Sequence, residues 1–184
     1  MINKALKTLF VFNGIFVFAS GLLGPLYAIF VETIDKSVVS VSISWSVFLF
    51  ASTIFVMFIR KYGDLVQEKE YLLMAGFLLR AVVWFIYPHI ETLSVLIVVQ
   101  VLLGLGEALG TPAYDAIFAE HLDKNRHIEE YADWKLISNL CGVAAVLIGG
   151  FVVQYVGFSA LFTAMGVLAI ISFFGVFVQS RKLL

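Results

Sequence analysis

Charge is what this sequence has least of. Only 14% of its 184 residues are charged, against about 25% in an ordinary soluble domain. So little charge cannot cover a water-facing surface, which excludes a soluble globular domain. The net charge is −1, and there is no basic block or RNA-binding motif, so nucleic acid is not an expected partner. Cys141 is the single cysteine, which leaves no internal disulfide and says nothing of redox compartment. Catalytic patterns are missing too. The chain has no H-E-x-x-H pair, no G-x-S-x-G elbow and no phosphate-binding loop. Neither an enzyme nor ATP coupling within the chain is expected. The three histidines, His89, His121 and His127, fall in connections, and no metal or cofactor is expected.

What the chain has instead is apolar length: 61% hydrophobic residues and a mean hydropathy of +1.00. A bilayer span takes about 20 predominantly apolar residues. Six stretches qualify: 8–31, 38–59, 71–88, 93–119, 132–155 and 158–179. The expected fold is a single all-α domain of six transmembrane helices over 1–184, surrounded by lipid. Lys4 and Lys7 followed by an apolar run ending in Ala19-Ser20-Gly21 imitate a cleavable leader. The run continues to Val31, however, beyond the roughly 7–15 apolar residues of a leader, and reads as the first span. A fragment of a longer protein is the less favoured reading, given Met1 at the start and Arg181-Lys182 at the end.

Basic residues orient the spans. Lys4, Lys7, Arg60, Lys61, Lys69, Lys124, Arg126, Lys135, Arg181 and Lys182 all fall on one side, and only Lys36 on the other. Both termini are expected in the cytoplasm, with the chain in the cell (inner) membrane.

Polar residues within the spans are patterned. At about 100° per residue, Gln100, Gly104, Glu107, Thr111 and Asp115 form one stripe of the fourth span. Gly106, Gly110 and Ala113 form a separate smooth stripe, the kind that lets membrane helices approach. Asn13, Ser20, Gly24 and Tyr27 share a face of the first span, flanked by Gly14, Gly21 and Pro25. The second span contributes Ser42, Trp45, Ser46 and Thr53. The fifth contributes Lys135, Ser138, Asn139, Gly142, Gly149 and Gly150. A single Ser or Gly in a span is more often packing than pathway, but acidic groups at membrane depth are expensive. Pro112 leaves the Ala108 carbonyl without a donor and is expected to break or kink the helix beside a cavity. Arg80 and Glu107 lie roughly 14 and 18 Å into adjacent spans by the helical rise. They are expected to meet, as a static neutralising pair or as one that opens when a substrate or proton reaches Glu107.

The fourth span, QVLLGLGEALGTPAYDAIFAE over residues 100–120, resembles R-x-L-x-G-x-G-x-A-x-x-x-P-A-x-x-A-x-x-A-[DE] of the major facilitator superfamily. GGFVVQYVGFSALF over residues 149–162 resembles its G-G-x-L-x-x-x-x-G-W-R-x-x-F. The loop signature G-x-x-x-D-R-x-G-R-R survives mainly at Asp64, with Arg60 at the glycine position and Gln100 where arginine is frequent. The resemblance implies one six-helix half of a two-half transporter, with spans one and four lining a central cavity. It also implies a gate at Asp64, with Glu120 and Arg126 as its partners. With one half in the chain, a parallel homodimer working by alternating access is expected. The substrate is a small molecule, cationic or amphipathic, and a proton on Glu107 or Asp115 is the coupling ion. The alternative is a non-transporting accessory or scaffold subunit paired with another half.

Overall fold

The computed structural model describes residues 4–183, with side chains from residue 6 to residue 179. The side chains of Lys4, Arg181 and Lys182, used above to orient the chain, lie outside those described. Among the described residues the secondary structure is helical: α1 (Lys4–Gly21), α2 (Leu26–Ile34), α3 (Val38–Tyr62), α4 (Glu70–Ile86), α5 (Leu93–Glu120), α6 (His127–Tyr155) and α7 (Phe158–Leu183), with short 3-10 turns at Gly63–Leu65 and Tyr87–His89. Helices α3, α5, α6 and α7, and α4 together with the Tyr87–His89 turn, are each long and apolar enough to cross a membrane. The Thr92 hydroxyl caps α5 by accepting from the Val95 amide, and Gly157, at φ +102, makes the turn from α6 into α7.

The first span is not the single helix expected over 8–31. It is a pair, α1 and α2, bent by 48°. The cause is the sequence Gly21-Leu22-Leu23-Gly24-Pro25. Gly24 adopts φ +21, and Pro25 has no N–H to continue the ladder of α1 but suits the start of a new helix. The Leu22 carbonyl exposed by the break faces Gly149 of α6, where a Cβ would run into it. Pro112 behaves in the opposite way. Helix α5 runs through it from Leu93 to Glu120 without interruption, so the expected break is absent. Neighbours hold that helix on both flanks: α5 packs between α3 and α4.

From that pair the bundle continues with α4 against α7, and α1 against α6 and α7. Aromatic side chains fill the centre. Phe16 stacks on Phe77 at 4.5 Å between ring centroids, and Phe162 meets Tyr87 at 4.7 Å. Helices α3 and α6 are the least enclosed and present Phe50, Met57, Leu140 and Phe151 outward, as lipid-facing or partner-facing helices do.

Candidate translocation cleft

Close approach of α4 and α5 builds the site. A Cβ on Gly76 would lie 2.7 Å from Gly110 Cα, and one on Gly106 would lie 2.8 Å from Arg80 Cγ. The glycines thus bring the backbones together and leave a slot for the arginine stem. Gly76 escapes the sequence reading; its signal is a glycine in the third span at the level of the fourth span's smooth stripe. In this slot Arg80 Nη2 lies 3.0 Å from Glu107 Oε2 and donates to the Gly106 carbonyl at 3.1 Å. Its guanidinium sits over the Phe16 ring at 4.8 Å. Thr111 donates to Glu107 Oε1 at 2.6 Å. Arg80 is buried (8% exposed), whereas 35% of the Glu107 side chain is exposed. The cation is enclosed and the anion looks outward.

Two clefts share Ser20, Arg80 and Glu107. One, of about 300 Å³, is walled by Tyr114 and Trp134 and carries Asn13, Thr111 and Asp115. It lies toward the end of the bundle that holds the 63–69 and 121–126 loops, called here the basic end. The other, of about 220 Å³, is lined by Tyr27, Trp45, Phe48 and Trp84. Asn13 is a neighbour of the Tyr114 hydroxyl, so α1 and α5 both reach the first cleft, with α6 at its side.

Gln100 is placed differently from the expectation. It is fully buried and lines neither cleft. Its amide donates to the Tyr27 hydroxyl. Tyr27 in turn donates to Ser44 Oγ at 2.7 Å, and Ser44 donates to the Val41 carbonyl at 3.0 Å. The Tyr87 hydroxyl approaches Gln100 Oε1 at 3.5 Å. Tyr27 therefore stands between Gln100 and the open space, and Gln100 ties α2, α3 and α5 together. Gly104 is likewise a packing residue, because a Cβ there would lie 2.8 Å from the Phe48 carbonyl of α3. Gly149 is tightly packed and Gly150 is not, with open space where its Cβ would be.

The loops also correct an expectation. Glu120 pairs with Lys69 at the head of α4. Arg126 holds Glu129 at 2.6 Å and lies 3.9 Å from Asp123. Neither contacts Asp64, which has no ion pair among the described residues. The reason is local: Arg126 and Glu129 are three residues apart at the start of α6, a spacing that favours pairing on one face. The Glu120 carboxylate pulls the Lys69 ammonium pKa up, and Arg126 holds the Glu129 carboxyl below its ordinary range. Asp64 instead lines a depression of about 280 Å³ with Arg60, Lys69 and Pro112. Among the described residues no group of three or more His, Cys, Asp or Glu could hold a metal.

Apolar helices long enough to cross a bilayer, enclosing clefts with charged walls, define a multi-pass membrane protein. The Major Facilitator Superfamily model matches residues 9–183, and the chain belongs to that family. It is 25% identical over 158 residues to the uncharacterized MFS-type transporter YitZ of Bacillus subtilis (strain 168), a match spanning 84% of this chain and 94% of that protein. That relative is therefore of similar length.

Proposed function

We propose that the chain is half of a two-copy secondary transporter. Two parallel copies face each other and rock about a shared cavity, exposing it to each side in turn. One observation carries this reading: Glu107, Thr111 and Asp115 line one open cleft among helices apolar enough to span a bilayer. Facing lipid, such charges are costly. Facing a second copy, they line a water-filled pathway whose halves are related by an axis along the membrane normal. The cytoplasmic side is the basic end, so both termini lie in the cytoplasm and the chain in the cell (inner) membrane. The transported solute is small and cationic or amphipathic. Arg80 already neutralises Glu107, and Asp115 leaves one negative charge per copy for the solute or a proton to meet.

The test is solute uptake into proteoliposomes under an imposed proton gradient, with wild type, Glu107→Gln and Asp115→Asn compared at equal folded content. Proton-driven transport that collapses in either variant is the expected result. Transport of unchanged rate and pH dependence in both would remove the proton-coupled pathway. A second reading, a non-transporting subunit paired with a different half, is favoured by Asp64, which among the described residues has no ion-pair partner where a gate would need one. Wild type that stays monomeric and pairs only with another membrane protein would support it.

A further inference from the structure

Asp115 on α5 and Lys135 on α6 are both exposed, and neither forms an ion pair among the described residues. They belong to one level of the bundle. Their chain neighbours Tyr114 and Trp134 pack ring to ring at 5.1 Å, and both rings wall the cleft that holds Asp115. Asp115 lies roughly 7 Å from the end of α5 and Lys135 roughly 12 Å from the start of α6 by the helical rise. Apolar residues flank both on their helices, Ala116-Ile117-Phe118 and Leu136-Ile137. A lone charge in such a setting is unfavourable unless it is paired or wet. Within one chain the two helices meet at this level through the Tyr114 and Trp134 rings, and no ion pair joins Asp115 to Lys135 among the described residues.

We infer that Asp115 of each copy pairs with the partner's Lys135, so that two salt bridges close the basic end of the shared cavity. The inference rests on the two-copy reading above. A two-fold axis makes the interface self-complementary: where residue i meets residue j, j also meets i. One exposed acid and one exposed base, each next in the chain to a ring of the Tyr114–Trp134 contact, satisfy that condition with opposite charges at both contacts. A solute cation or a proton arriving at Asp115 competes with Lys135 for the same carboxylate. Loading of the cleft and release of the closed end are therefore the same event.

The pairing can be tested by charge reversal in trans. Asp115→Lys alone sets lysine against lysine in its own dimer, and Lys135→Asp alone sets aspartate against aspartate. A mixed dimer of the two variants restores both opposite-charge contacts. The two variants are produced separately and together with distinguishable tags, and dimer fraction is read by mass in nanodiscs, with thermal melts as the folding control. Each variant alone is expected to dimerise about tenfold or more weakly than wild type, because like charges are juxtaposed. Together they are expected to give mixed dimers at the wild-type level, in large excess over either homodimer. A statistical mixture of the three dimers would overturn the proposal, as would rescue only when both changes are in one chain. Should the reversed chains fail to fold, Asp115→Asn and Lys135→Gln, which remove the attraction without repulsion, must each weaken dimerisation, and unaltered dimerisation overturns it. Wild type that is monomeric throughout defeats the two-copy reading itself. Dimeric wild type with normally pairing variants defeats only the latch.

Discussion

Gln100 and Glu107 stand about two turns apart on α5, yet their surroundings are opposites. Gln100 is enclosed in a hydrogen-bonded cluster with Tyr27, Ser44 and Tyr87. Glu107 is held from behind by Arg80 and from the side by Thr111, and its remaining surface faces the cleft. One cluster fastens helices; the other presents a charge. A buried hydrogen-bonded network is stabilising only while complete. An open one can change partners, because water takes the place of whatever leaves. A polar residue in a membrane helix is thus assigned by what covers it rather than by its being polar.

The contrast can be broken hardest at its foundation. Gly76→Leu drives a side chain into the backbone of α5 at Gly110 and should cost more than about 3 kcal/mol, seen as loss of monodisperse protein in detergent. A subtler change separates the two members of the charge pair. Glu107→Leu strands an enclosed guanidinium and should cost about 3 kcal/mol, the lower end for broken buried pairs. Arg80→Met leaves a carboxylate that still has Thr111 and cleft water, and should cost less. Thermal melts of the two variants in one detergent compare them directly, and a more damaging Arg80→Met would reverse the assignment of enclosed and open partners.

The next pair tests the two clusters against each other. Gln100→Leu leaves buried tyrosine hydroxyls short of a partner, a loss of about 1.5 kcal/mol. Thr111→Val, at an exposed position, should stay within about 0.5 kcal/mol. Equal losses would erase the distinction between sealed and open. The smallest effect lies outside the membrane. Arg126 lowers the Glu129 pKa, so the stabilisation is fully present above the ordinary carboxylate value of about 4.3. It is lost as pH falls through the lowered folded value. A carbon NMR titration should place Glu129 below that ordinary value in wild type and back near it in Arg126→Ala.

Much of this was legible in the residues. Apolar runs mark the positions of α3 to α7, and the helical wheel puts Glu107, Thr111 and Asp115 together on one stripe and Gly106 and Gly110 on another. The wheel fails where it assumes an unbroken helix or an empty neighbourhood. Gly24-Pro25 is in plain view, but a constant 100° step carries a pattern straight across a bend, and so the first span reads as one helix. Gln100 shares its stripe with Glu107, and nothing in α5 itself reveals that Tyr27, more than seventy residues earlier, covers one and not the other. The Asp64 gate belongs to a family pattern whose basic residues are mostly replaced here. Lys69 takes Glu120, and Arg126 is occupied by its own helix. Gly76 had no stripe of its own to announce it, since its role exists only opposite Gly110.

Arg80 has one further consequence. Of its three attachments, only one is to a group that can lose its charge. The Gly106 carbonyl and the face of Phe16 hold the guanidinium whether or not Glu107 is ionised. Neutralising Glu107 therefore leaves the arginine anchored and turns a charge-balanced wall into a positive one. The change is electrical before it is mechanical: the cleft keeps its outline and loses its excess negative charge, because Arg80 is then set against Asp115 alone.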